Sequence, residues 1–100
     1  MPQPKRIKPN ERISFELTRR ERDLILERTF IDPQIEHRLR LAAISGSKLV
    51  VNLTLDDIDE LAGSLAAEAN HCDDPKTRRA LDTVYDRLAK LEARYTDDQS

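Results

Sequence analysis

The densest gathering of chemically able side chains in this sequence lies at positions 68–74, where Glu68, His71, Cys72, Asp73 and Asp74 crowd together. Glu68 and His71 stand three apart, the Glu-x-x-His spacing with which di-iron carboxylate bundles present ligands from one helical face. Such a centre needs a second Glu-x-x-His and further inward glutamates. The chain has one copy, so a symmetric dimer would have to supply the other. His71, Cys72 and the aspartates are ligand types that suit a transition metal. Adjacent residues seldom both reach one ion, however, and the spaced ligand pairs of zinc sites are missing. The same adjacency counts against a Cys72/His71 nucleophile and base, because consecutive side chains diverge and no third residue orients the base. An ordinary account covers the cluster: His71 suits a helix C-terminus, Asp74 an N-cap, and Glu68 a solvated helix face. A lone cysteine behaves as a small apolar residue. No metal ligand, catalytic residue or cofactor is assigned, and the chain is not read as an enzyme.

Other sources of chemistry are thinner. His37, between Glu36 and Arg38, reads as surface. Gly46 and Gly63 are the only glycines, so no glycine-rich loop is available to cradle phosphate. Gly63 falls in mid-helix, where it is expected to let another helix approach closely.

Charge is distributed unevenly. Residues 1–22 carry Lys5, Arg6, Lys8, Arg12, Arg19, Arg20 and Arg22 against Glu11, Glu16 and Glu21, whereas 54–74 carry seven acids and no Lys or Arg. The basic end could lie along phosphates through Lys5, Arg6, Lys8, Arg19 and Arg20. The net charge of −2, the lack of aromatics among those cations and the absence of a reading helix disfavour nucleic acid. The acidic stretch would attract a basic protein surface, with Asp57, Asp59 and Glu60 as the binding residues. Asp56 and Asp57 are also what a helix N-terminus favours by itself.

These side chains must be positioned by local structure, and the chain states its local grammar twice. Residues 12–25 align without gaps on 48–61, each copy running from alternating apolar residues through Leu-Thr to an acid three residues later. This internal repeat predicts two short strands, about 12–17 and 48–53, each leading into a Thr-capped helix through a capping box, Thr18 with Glu21 and Thr54 with Asp57. Asp32-Pro33 and Asp74-Pro75 are caps followed by proline at the first helical position. They predict a short helix over 33–42, with Glu36 and Arg40 paired four apart, and a long one from 75 to about 95. Leu81, Val84, Tyr85, Leu88, Leu91 and Tyr95 form the apolar stripe of the last helix. A short loop before it predicts an antiparallel pair with the preceding helix.

The expected fold is therefore α+β and helix-dominated: residues 1–11 an extended basic Pro-rich arm, 12–95 a single globular domain, 96–100 a frayed tail. Two readings of the strands stay open. They are parallel neighbours joined by a right-handed crossover, or the turn at Ser45, Gly46 and Ser47 makes a local hairpin with residues near 42–44. Two strands leave free edges, which pairing across a two-fold axis would remove, so a homodimer is one expectation. Charged residues such as Arg12, Glu16 and Lys48 would otherwise blunt them. The unpaired Cys72, the absence of an apolar leader and the short apolar runs predict a soluble cytoplasmic protein without membrane contact. The expected function is a small interaction or regulatory protein that binds another protein through the acidic helix patch or a strand edge. A nucleic-acid-associated regulator is the alternative, and a metal-dependent enzyme at Glu68/His71 comes third.

Overall fold

The alternation at 13–17 and 49–53 folds as a pleated strand pair. In a computed structural model, which describes residues 4–97, β2 (Ile13–Leu17) buries Ile13, Phe15 and Leu17 and leaves Ser14 and Glu16 outside. Its partner β4 (Lys48–Leu53) buries Leu49, Val51 and Leu53. The two are antiparallel, with Ile13 opposite Leu53, Phe15 opposite Val51 and Leu17 opposite Leu49. Three apolar cross-strand pairs thus lie on one face, each contributing about 0.2–1 kcal/mol beyond an alanine pair. On the other face Ser14 Oγ donates to Asn52 Oδ1 at 3.0 Å.

The parallel crossover is not what forms; the hairpin is. β3 (Ala43–Ser45) pairs antiparallel with β4, giving a sheet ordered β2-β4-β3. Ser45 and Lys48 close a two-residue loop in which Gly46 has φ 63° and Ser47 a negative φ. Glycine at the first loop position with that sign is the type II′ hairpin turn, whose twist matches the flanking strands.

Helices cover the apolar face. Both capping boxes are made: α1 (Arg19–Arg28) starts at Thr18 and α3 (Leu55–His71) at Thr54, each side chain accepting from the N3 amide. α2 (Pro33–Arg40) is capped by Asp32, buries Ile35 and Leu39, and carries the Glu36–Arg40 pair at 3.0 Å. α4 (Pro75–Glu92) is capped by Asp74 and buries Leu81, Val84 and Leu88 along its stripe. α3 contributes Ile58, Leu61, Ala62, Leu65 and Ala69 to the same core, and the α3–α4 pair packs side by side. Each large aliphatic side chain so buried contributes about 1.5–3 kcal/mol of transfer free energy.

Gly63 differs from its expected role. It is exposed, and a Cβ built on it meets nothing within 4 Å, so no helix crosses there. The chain ends hold a further pairing. Within the N-terminal segment, β1 (Lys5–Ile7) runs parallel to β5 (Tyr95–Asp97), Lys5 opposite Tyr95, and Ile7 enters the core at 2% exposure. The last helix stops at Glu92, short of the expected 95, so Tyr95 leaves its stripe and opens β5, to which Thr96 and Asp97 of the stretch read as a frayed tail also belong. Residues 98–100 lie outside the described residues.

Candidate functional site

Asp57, first among the expected protein-binding residues, is engaged inside the chain. Its Oδ2 accepts from the Thr54 amide at 3.1 Å, completing the capping box, and also receives Arg38 Nη1 from α2. The other box has the same construction. Glu21 Oε1 accepts from the Thr18 amide at 2.8 Å, and Arg87 of α4 grips both carboxylate oxygens at 2.9 and 3.1 Å. Each strand-to-helix junction is therefore locked by an arginine from a distant helix. Burial by itself would raise the Glu21 pKa, but the hydrogen bonds from Arg87 and Thr18 and the Arg87 charge outweigh it and hold the carboxyl below its ordinary value.

Asp59 and Glu60 are exposed on α3, as is Asp56 one turn earlier. Among the described residues none of the three forms a salt bridge. Because α3 and α4 pack side by side, Asp59 comes against Glu92 at the end of α4. Partial burial, then the Asp59 charge, raises the Glu92 pKa above its ordinary value. Asp56 is explained by the helix dipole; the Asp59–Glu92 approach follows from helix packing.

The basic residues separate into two places. Lys5 and Arg6 are exposed on β1 and Lys8 just after it, while Arg19 and Arg20 are exposed at the start of α1. Arg20 borders an open groove of about 900 Å³ between α1 and α4, whose walls carry both signs, with Glu21, Asp23 and Glu27 facing Lys76 and Arg79. A second, smaller groove of about 300 Å³ lies between α4 and the sheet and gathers Lys48, Arg87, Lys90 and Arg94 against one carboxylate, Glu16. Three of these cations, Arg87, Lys90 and Arg94, are close in sequence, but Lys48 comes from a remote strand, so no charge run announces the set.

The two edges of the three-stranded sheet are treated differently. Along β2, Arg87 Nη2 donates to the Glu16 carbonyl at 3.2 Å, so a side chain from α4 occupies one main-chain acceptor of that strand. β3 pairs with β4 alone among the described residues. Ile44 on β3 is 66% exposed and Leu41, just before it, 68%. Exposed aliphatic side chains beside an unpaired strand edge are a recurrent mark of a protein-binding surface.

Around the 68–74 cluster the geometry is structural. Cys72 is buried with its Sγ 3.5 Å from the Asp74 carbonyl, while His71 is exposed. The Thr77 hydroxyl and amide bond to Asp74 and lower its pKa. Among the described residues no three His, Cys, Asp or Glu side chains are grouped to hold a metal ion. No helix among them is long and apolar enough to cross a membrane. Comparison with family models, with curated proteins and with solved structures finds no match to this chain.

Proposed function

We propose that this chain is a small protein-interaction module that accepts an extended segment of another protein along β3. The observation that carries it is the contrast between the edges: Arg87 takes the Glu16 carbonyl on β2, whereas β3 runs beside exposed Ile44 and Leu41. Strand addition would give such a partner main-chain hydrogen bonds, with Ile44 as a side-chain anchor. The acidic patch is a weaker basis, because Asp57 is engaged by Arg38 and Thr54 and Asp56 serves the helix dipole.

The occupant is a different protein rather than a second copy. Positions 42–47 carry no charge, but exposed Arg40 and Lys48 flank them. Antiparallel pairing of two copies about Ile44 would bring Arg40 of one towards the turn end, and Lys48, of the other, placing like charges together. A partner strand with acidic flanks meets the same two cations favourably. A cytoplasmic setting fits the unpaired thiol of Cys72.

A photo-crosslinking residue at position 44 tests this, combined with hydrogen exchange of the captured complex. The expected result is one partner whose binding protects the amides of Ala43–Ser45 and is lost on Ile44→Lys. Protection confined to the start of α3, with loss on Asp59→Lys/Glu60→Lys and not on Ile44→Lys, would transfer the function to the acidic surface. A dimer by light scattering that dissociates on Ile44→Lys would replace the partner with a second copy.

A further inference from the structure

The small groove between α4 and the sheet belongs to neither the open edge nor the acidic surface, and its charge is opposite to that of the protein as a whole. The net charge is −2, yet Lys48, Arg87, Lys90 and Arg94 converge there with Glu16 as the one carboxylate. Lys48 comes from β4, Arg87 and Lys90 lie one turn apart on α4, and Arg94 follows the helix end. The Lys5 amide donates to the Arg94 carbonyl at 2.8 Å, so the basic strand β1 begins where the groove stops.

Their pairing states differ. Arg87 is committed to Glu21 and sits 5.4 Å from the centre of the Phe15 ring, which fixes the groove wall. Lys48 reaches Glu16 only at 4.0 Å, with both side chains more than half exposed, a pair of little energetic weight. Lys90 and Arg94 form no salt bridge among the described residues. The negative end of the helix dipole at the α4 C-terminus accounts for Lys90 and Arg94 in part. It does not account for Lys48, which another element brings to the same place. Glu92 is two residues from Lys90, hence roughly 160° away around the helix, and lies against Asp59. Glu92 therefore faces away from the groove.

We propose that this groove binds the phosphodiester backbone of nucleic acid without reading its bases. Protein partners draw much of their affinity from apolar anchors set in pockets. Here the apolar wall is Phe15, 5% exposed, and half-buried Leu91, so no such pocket is open. Backbone binding needs only cations, since its free energy comes from displaced counterions. The groove presents no exposed aromatic ring on which bases could stack, and cation contacts to phosphate carry no sequence information. Lys48 borders both this groove and β3, but Lys90 on α4 and Arg94 beyond it do not flank β3, so Lys90→Glu/Arg94→Glu tests this proposal apart from the other.

The test is fluorescence anisotropy of the full chain with a labelled oligonucleotide of about twenty nucleotides, single-stranded and duplex, between about 50 and 200 mM salt. The three weakly paired cations predict log–log salt slopes of about −2 for the single strand and about −2.7 for the duplex. Lys90→Glu/Arg94→Glu should weaken binding at least tenfold, and different base sequences should bind alike. Should that variant misfold by circular dichroism, Lys48→Glu on a separate element is expected to weaken binding in the same direction. Absence of binding at the lowest salt would overturn the proposal, as would binding indifferent to these changes. Loss on Lys5→Ala/Arg6→Ala/Lys8→Ala alone would move the site to the N-terminal segment and overturn it as well. Equal affinity for inorganic phosphate, or binding only to anionic phospholipid vesicles, would show a different ligand and reject it.

Discussion

The junction most open to measurement is the one Arg87 makes, because one side chain reaches an α1 cap, a sheet edge and an aromatic ring at once. Arg87→Met keeps most of the aliphatic volume, and Glu21→Gln keeps a capping-box side chain while removing its charge. A double-mutant cycle on the pair therefore isolates the ionic contact. Hydrogen bonds to charged groups contribute about 1.5–3 kcal/mol each. Glu21 is 16% exposed but Arg87 38%, so solvent screening reduces the sum. We expect a coupling energy of about 1–2 kcal/mol at neutral pH, and each kcal/mol lost should lower Tm by about 4–8 °C for a domain of this size. The carboxyl is held below its ordinary value in the fold. Its contribution is accordingly full above the unfolded value of about 4.3 and is lost as pH falls through the folded one. Urea denaturation of the four proteins at neutral pH, and again at the most acid pH that still gives one cooperative transition, measures both points. A neutral-pH coupling below about 0.3 kcal/mol, the scatter of independent sites, would refute the assignment. So would a coupling that acid leaves unchanged.

Two further stability predictions follow from single observations. Gly63→Ala should stabilise the protein by about 0.5–1 kcal/mol, because it restores helix propensity where a Cβ meets nothing; a lower urea midpoint would show a contact at that surface. Glu92→Gln should raise Tm at neutral pH by the equivalent of about 0.2–1 kcal/mol, since burial and Asp59 disfavour the charged form in the fold. With a raised folded value, the carboxyl loses stability as pH rises, so the gain should disappear below about pH 4. An equal gain at both pH values would assign it to something other than ionisation.

What the sequence made legible was local. The β2 and β4 strands announce themselves by period two, and the two capping boxes by Thr-x-x-acid, because each signal is complete within a few residues. β1 and β5 have three residues each and depend on a partner at the other end of the chain. The one hint was Ile7, the lone aliphatic residue among the prolines and cations before position 13. The open edge at β3 was half legible, since the Ser45, Gly46 and Ser47 turn predicted a hairpin while the bond that engages Glu16 on β2 depends on remote Arg87. Asp57 read as a surface acid because nothing near it in sequence shows that Arg38 of α2 will meet it. The cationic groove was hidden for the same reason: tertiary packing, not spacing, brings Lys48 to Lys90 and Arg94.

Strands β1 and β5 act as a clasp on the two ends of the described chain. Contacts between residues so remote in sequence close late in folding, after the intervening elements have brought them near. Two three-residue strands have little stability of their own, so the clasp is held shut by Ile7 in the core and should open before the rest of the molecule does. Opening it also frees the carbonyl of Arg94, at the mouth of the groove. By reciprocity, an anion that binds better to the fastened form tightens the clasp by as much as the clasp favours the anion.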